Sequence, residues 1–160
     1  MKKILLAMIS LSFTCSAFAE PTENDPVTAI DNGSTVTVLT RINIPNFNKI
    51  LFQNGNRYSF YSEVSGNGKP FCRLYAQRKD GSDYSQDVAI SAGRELVQVQ
   101  NTDAGYAASL GFQLADGGRL YLDCFAGMND GAGLGVPTIG QFKQALNSIL
   151  KLNLAAPVEL

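Results

Sequence analysis

Two stretches of this sequence say most about its fold: FCRLYAQ at residues 71–77 and RLYLDCF at residues 119–125. In both, leucine, alanine or cysteine alternates with aromatic or charged residues, which is the two-residue period of a β-strand. The positions that share a side with the cysteines are apolar, whereas the opposite positions are aromatic or charged. We therefore expect two strands that turn one face to a core and present an aromatic, partly charged face on the other side.

The two cysteines in these stretches are predicted to form a disulfide bond. Neither Cys72 nor Cys124 belongs to a CxxC pair, so the spacing indicates neither a redox motif nor a zinc site. In an oxidising compartment, an even pair of cysteines is typical of a disulfide. A bond between Cys72 and Cys124 brings the two apolar faces to the same side of one core.

The first 19 residues have the three parts of a secretory signal peptide. A short basic start precedes a mostly apolar run over 4–13, and a small-x-small pattern ends at Ala19, just before Glu20. The apolar run is shorter than the about 20 residues that a membrane-spanning helix needs. We expect cleavage between Ala19 and Glu20, and a periplasmic or secreted protein.

Composition divides the rest of the chain into three parts. Residues 20–33 are polar and carry two prolines, which predicts a flexible lead-in. Residues 34–154 are expected to form a single β-rich domain with a C-terminal helix, and 155–160 a short tail. Acidic and basic residues number 14 and 13, without a lysine or arginine cluster. Nucleic acid is therefore not an expected partner, and no second long apolar run predicts a transmembrane segment.

The expected fold is mainly β, either an antiparallel β-sandwich or a curved sheet, with one C-terminal amphipathic helix. Asn54-Gly55 is a strong hairpin signal between two strand candidates. Thr138 and Gln141 form the pattern of a capping box at a helix start. The predicted helix runs from about Ile139 to Leu152, on apolar residues at helical spacing: Ile139, Phe142, Leu146, Ile149 and Leu150. We expect this helix to cover the aromatic face of the sheet; the alternative is that this face binds a ligand.

Catalytic chemistry is not expected. The chain has no histidine, which excludes Ser-His-Asp and Cys-His machinery and removes the commonest zinc ligand. Most acidic residues stand beside Gly, Ser or Asn, where they serve turns. Asp123 is the exception, because it lies in mid-strand on the aromatic face. Arg73 has the matching position on the other cysteine strand, so the two are a candidate structural ion pair. No catalytic residue, metal site or cofactor is predicted.

These observations favour a small exported protein without enzymatic activity, which binds another envelope or secreted macromolecule. Two alternatives remain. One is a small hydrolase of envelope polymers that works through carboxylates, and the other is a small-ligand carrier that uses the aromatic face. The chain has six tyrosines and no tryptophan, which weakens a lectin-like role. No motif is specific enough to name a family.

Overall fold

The computed structural model describes residues 20–129 and 132–155. The predicted signal peptide at 1–19 lies outside the described residues, together with Ala19 of the predicted cleavage site and with 156–160 of the predicted tail. None of the helices in the described ranges has the length and apolarity that crossing a membrane requires.

The described chain is mainly β, with a curled antiparallel sheet and a C-terminal helix, as the sequence predicts. The helix α1 spans Ile139–Ala145, and single 3-10 turns lie at Val27–Ala29 and Tyr61–Glu63. The strands of the described ranges are β1 (Thr35–Val38), β2 (Ile42–Ile44), β3 (Ile50–Gln53), β4 (Asn56–Tyr58), β5 (Phe71–Gln77), β6 (Val88–Ile90), β7 (Glu95–Asp103), β8 (Ala108–Gln113), β9 (Arg119–Phe125), β10 (Met128–Asn129), β11 (Ala132–Gly133) and β12 (Leu150–Asn153).

Eight of these strands form one sheet in the order β12-β1-β7-β8-β9-β5-β3-β4, and β2–β6 and β10–β11 form two-stranded ribbons. The two cysteine strands are direct neighbours in the large sheet, with Cys72 opposite Cys124 and Leu74 opposite Leu122. The predicted disulfide bond is confirmed, and its Cα atoms are 4.1 Å apart. All four side chains are buried in the main core, so the alternation in the sequence assigned the core face correctly.

The C-terminal helix starts where the capping box predicts. The backbone N–H of Gln141 donates to Thr138 Oγ1 at 3.2 Å, and the backbone N–H of Thr138 donates to Gln141 Oε1 at 2.9 Å. Both groups belong to the unpaired first turn, which such reciprocal bonds satisfy.

The predicted end of the helix at Leu152 is wrong, because α1 ends at Ala145 and Leu150–Asn153 forms strand β12. The tip of the β3–β4 hairpin meets the end of the helix, where the Gly55 N–H donates to the Ala145 carbonyl at 3.0 Å. Ser148 then adopts a positive φ of 66°, which turns the chain back. Strand β12 pairs with β1, so distant backbone groups satisfy the hydrogen bonds that a longer helix would have made internally.

The expectation that α1 covers the aromatic face is also wrong. Ile139, Phe142 and Leu146 are buried in the same cluster as the disulfide and the leucines of β5 and β9. The helix therefore packs on the disulfide face of the curled sheet. An apolar helix stripe gains most where it removes apolar surface from water, and the opposite face carries Arg73 and Asp123 instead.

Residues 26–30 pack on the core, which differs from the flexible lead-in expected from composition. Val27 and Ile30 are buried, and the Val27 N–H donates to the Pro137 carbonyl at 2.9 Å. The side chains of Gln98 and Asn101 both donate to the Ile30 carbonyl, at 3.3 and 3.0 Å. The average polarity of 20–33 concealed these two apolar residues, which anchor the segment to the core. Other backbone groups of the segment have hydrogen-bond partners in the folded domain.

Candidate binding face

The aromatic face predicted from the sequence is a row of three cross-strand pairs on β5 and β9. We call this row the outer face; its residues are Phe71 opposite Phe125, Arg73 opposite Asp123, and Tyr75 opposite Tyr121. It lies on the side of the sheet away from the disulfide and from α1. Directly opposed side chains in an antiparallel pair are close enough to interact, so each pair acts as a unit.

The phenylalanine pair is sealed from solvent. The rings of Phe71 and Phe125 stack with centroids 4.7 Å apart, and both side chains are buried. The ring centroid of Tyr61 lies 6.2 Å from that of Phe71, and the ring centroid of Tyr106 lies 6.5 Å from that of Phe125. A second small core, which also holds Leu51, Val64, Ala107 and Met128, covers this end of the outer face. This end is therefore structural.

The middle pair is a hydrogen-bonded ion pair. Arg73 Nε donates to Asp123 Oδ2 at 3.0 Å, and Nη2 contacts the same oxygen. The hydroxyl of Ser109 on β8 donates to the other oxygen at 2.8 Å, and Arg73 Nη1 donates to the Tyr61 hydroxyl at 2.8 Å. Burial alone would lower the pKa of Arg73, but the hydrogen bond and charge of Asp123 raise it above its usual value. The structure thus brings together the two residues that the sequence paired.

The tyrosine pair forms a flat, half-buried platform. The rings of Tyr75 and Tyr121 stack with centroids 5.2 Å apart, and Lys49 Nζ lies 4.7 Å from the centroid of Tyr75. Burial, followed by the nearby charge of Asp123, raises the pKa of Tyr75 to about 12. We call Tyr75, Tyr121 and Lys49 the tyrosine platform. Its rings face solvent in part because the helix packs on the opposite side of the sheet.

A glycine makes room for this platform. A Cβ at Gly111 on β8 would lie only 3.3 Å from Cε1 of Tyr121 and 3.0 Å from Cβ of Gln100. With no side chain at Gly111, the ring of Tyr121 can lie close to the sheet. A glycine inside a strand often marks such a close approach.

The sequence did not predict that three further residues, Ser109, Lys49 and Tyr61, belong to this site. Ser109 lies between the buried Ala108 and Leu110 on β8, so its side chain is on the other face of the strand. The alternation of β8 could therefore have placed Ser109 on the outer face. Lys49 and Tyr61 come from connections between strands, and no local pattern indicates where such connections lie. Across residues 20–129 and 132–155, no group of three or more histidine, cysteine, aspartate or glutamate side chains is placed to hold a metal ion.

Comparisons with family models, with curated proteins and with solved structures found no match to this chain. The chemistry of the site is therefore the basis for a proposed function.

Proposed function

We propose that this protein is exported and acts outside the cytoplasm, without catalysis, as a binding module for a macromolecule of the cell envelope or the surroundings. The tyrosine platform is the docking surface. The disulfide between Cys72 and Cys124 is compatible with this location, because such bonds persist in oxidising compartments.

One observation carries the proposal: two stacked tyrosine rings with a lysine beside them stay half-open on the outer face, while the helix packs elsewhere. Tyrosine offers a large, rigid contact area at low cost in side-chain entropy, and it is enriched at binding surfaces. Lys49 is exposed and lies over the Tyr75 ring. The platform thus combines apolar contact area with a hydrogen-bond donor at its edge.

The geometry favours binding over the hydrolase alternative. A glycosidase needs two carboxyl groups across a bond, one of which donates a proton. Asp123 is the carboxylate nearest to the centre of the outer face, and both of its oxygens already accept hydrogen bonds from Arg73 and Ser109. It is therefore engaged in holding the sheet together rather than facing a substrate.

The test is co-sedimentation of the purified mature protein with envelope fractions of the cells that produce it. We expect Tyr75→Ala/Tyr121→Ala to reduce the bound fraction at least tenfold relative to the parent. Because half-buried tyrosines also support the fold, the exposed Lys49→Glu provides a second variant that should weaken binding without unfolding the domain. Leu39→Ala, at an apolar residue that is 46% exposed outside the outer face, is the control and should bind like the parent.

Equal retention of the parent and of both platform variants would refute the proposed docking surface. The export part has its own check, since the intact mass of the mature protein should correspond to a chain that begins at Glu20. A mature form that keeps Met1 would contradict export by a cleaved signal peptide.

A further inference from the structure

A small cavity opens beside the tyrosine platform. It has a volume of about 160 Å³ and lies between the loop 45–49 and the stretch 83–88, with Tyr75 of the platform in its wall. Pockets for drug-sized ligands usually measure about 300–1,000 Å³. This cavity therefore suits one ring-sized unit of a larger ligand that continues onto the platform.

Phe47, at the rim of this cavity, has a backbone conformation and an exposure that do not stabilise the fold. Its φ is 56°, in the left-handed region that penalises residues with a Cβ, and its side chain is 70% exposed. The backbone at Phe47 is therefore strained, and its side chain buries little apolar area. Strained, exposed residues of this kind concentrate at binding sites, where the ligand supplies the missing contact.

The loop that carries Phe47 is held in position from the other side of the cavity. Asp87 accepts from the backbone N–H of Asn46 at 3.0 Å and from the Asn43 amide at 3.1 Å. The rim is thereby positioned before a ligand arrives, which reduces the entropy lost on binding.

The two tyrosine walls are also fixed. Tyr75 stacks on Tyr121, while the Tyr84 hydroxyl donates to Asp116 Oδ2 at 2.7 Å. The guanidinium carbon of Arg78 lies 5.7 Å from the Tyr84 ring centroid. The hydroxyl proton of Tyr84 is used in this bond, so Tyr84 presents mainly its apolar ring to the cavity.

The rest of the lining combines the apolar residues Ile44, Pro45, Ala76 and Val88 with polar groups whose charges balance. Amide side chains from the rim loop, from β5 and from the stretch 83–88 can donate and accept hydrogen bonds at once; they are Asn46, Asn48, Gln77 and Gln86. One cation, Lys49, and one anion, Asp83, complete the charged groups of the lining. Such a lining matches a ligand that has apolar ring faces and many hydroxyl groups but no net charge.

We propose that this cavity binds one uncharged sugar unit of a glycan, and that the adjoining unit of the same chain lies on the tyrosine platform. This inference rests on the proposed function and names the class of its ligand. The C–H face of a sugar ring packs on aromatic rings, while its hydroxyls pair with the amides. Tyrosine and phenylalanine supply the aromatic faces for which tryptophan is more usual.

The test is isothermal titration of the mature protein with tetrasaccharides. The probes are the uncharged tetramers of glucose, in β-1,4 and α-1,4 linkage, and of N-acetylglucosamine, together with tetragalacturonate as an acidic comparison. We expect saturable binding of at least one uncharged probe, and weaker or no binding of tetragalacturonate.

Phe47→Gly separates binding from folding. Glycine accepts a φ of 56° without steric cost, so the melting temperature should stay equal or rise, whereas affinity for the sugar should fall at least tenfold. Gln77→Ala should weaken binding as well. Phe60→Ala is the matched control, because this phenylalanine is 69% exposed and does not line the cavity, and its affinity should equal that of the parent.

Two results would overturn the inference. One is the absence of binding to every uncharged probe, or binding of tetragalacturonate alone. The other is an uncharged probe that binds Phe47→Gly and Gln77→Ala as tightly as the parent. If envelope retention still depends on Tyr75 and Tyr121 in either case, the proposed function stands and only the glycan assignment fails.

Discussion

At the scale of single residues, the side chains of the outer face differ in how far they are buried and in what they contact. Arg73 and Asp123 are half-buried or buried and satisfy each other, so they belong to the framework. Tyr75 and Tyr121 are held by their neighbours but keep part of each ring in solvent. Two structural pairs and the pair proposed for binding can thus share the same two strands, because each cross-strand pair is a separate unit.

Replacing Asp123 should destabilise the protein without changing any catalytic activity. Asp123→Asn removes the charge that faces Arg73, and hydrogen bonds to charged groups contribute about 1.5–3 kcal/mol, so the free energy of unfolding in urea should fall by about that amount. In contrast, Arg73→Met/Asp123→Leu should come close to the parent, because replacing both partners by apolar residues leaves no unpaired charge. Glycan hydrolysis by the parent that Asp123→Asn abolishes with the fold intact would instead favour a hydrolase.

Alkaline pH should destabilise the fold through Tyr75 and Tyr84. The pKa of Tyr75 is raised to about 12 mainly by burial, and that of Tyr84 to about 12 by burial and by the hydrogen bond to Asp116. An unfolded tyrosine titrates near pH 10, so between about pH 10 and about pH 12 the unfolded chain binds fewer protons than the folded one, and stability falls as pH rises. Below about pH 10 this contribution is fully present.

Urea unfolding on both sides of pH 10 measures this effect. Tyr84→Phe removes the phenol and should flatten the loss of stability at alkaline pH. If the pH dependence of stability were the same in Tyr84→Phe and the parent, the pKa of the Tyr84 hydroxyl would not differ between the folded and unfolded states.

At the scale of elements, the C-terminal segment changes from helix to strand within a few residues. Helix α1 buries one apolar stripe in the main core, and β12 continues the sheet by pairing with β1. Leu146 stands at the junction as the C-cap of the helix and is fully buried. This side chain therefore couples the helix to the turn that leads into β12.

Leu146→Ala should cost about 2–5 kcal/mol of unfolding free energy, because the substitution leaves a cavity in a closely packed core. The solvent side of the same helix offers the control: the Lys143 side chain is 43% exposed and forms an exposed ion pair with Glu23, so Lys143→Ala should cost less than about 1 kcal/mol. A loss below about 0.5 kcal/mol for Leu146→Ala would mean that the helix contributes little to the fold.

At the scale of the whole molecule, the curled sheet wraps one core that receives residues from both ends of the described chain. Val27 and Ile30 near the start and α1 and β12 near the end meet on the disulfide side. The disulfide joins two central neighbouring strands, and its two cysteines are 52 residues apart in the sequence. It therefore restricts the unfolded chain between the two cysteines while leaving the paired strands in register.

Cys72→Ala/Cys124→Ala should lower the free energy of unfolding by about 2–5 kcal/mol, since removing a native disulfide releases that much constraint and packing. The native far-ultraviolet circular dichroism spectrum should persist, because β5 and β9 stay joined by their backbone ladder. A change below about 1 kcal/mol would contradict a stabilising role for the bond.

Features that depend on neighbours along the chain were predictable from the order of the amino acids. Alternation over 71–77 and 119–125 assigned a core face and an aromatic face, because successive side chains of a strand point to opposite sides. The hairpin signal at Asn54-Gly55 also succeeded, because a tight hairpin turn of this kind needs positive φ at both central residues, and these have φ of 51° and 74°. The capping box likewise marked the helix start from two residues three positions apart.

Features that depend on distant partners became apparent in the folded protein. The end of α1 follows from the pairing of β12 with β1, more than a hundred residues away, and the face that α1 covers follows from where apolar area was available. Lys49, Tyr61 and Ser109 reach the outer face from three separate parts of the chain. A local pattern sets what a segment can form, but backbone hydrogen bonds and burial are completed by whichever segments the fold brings together.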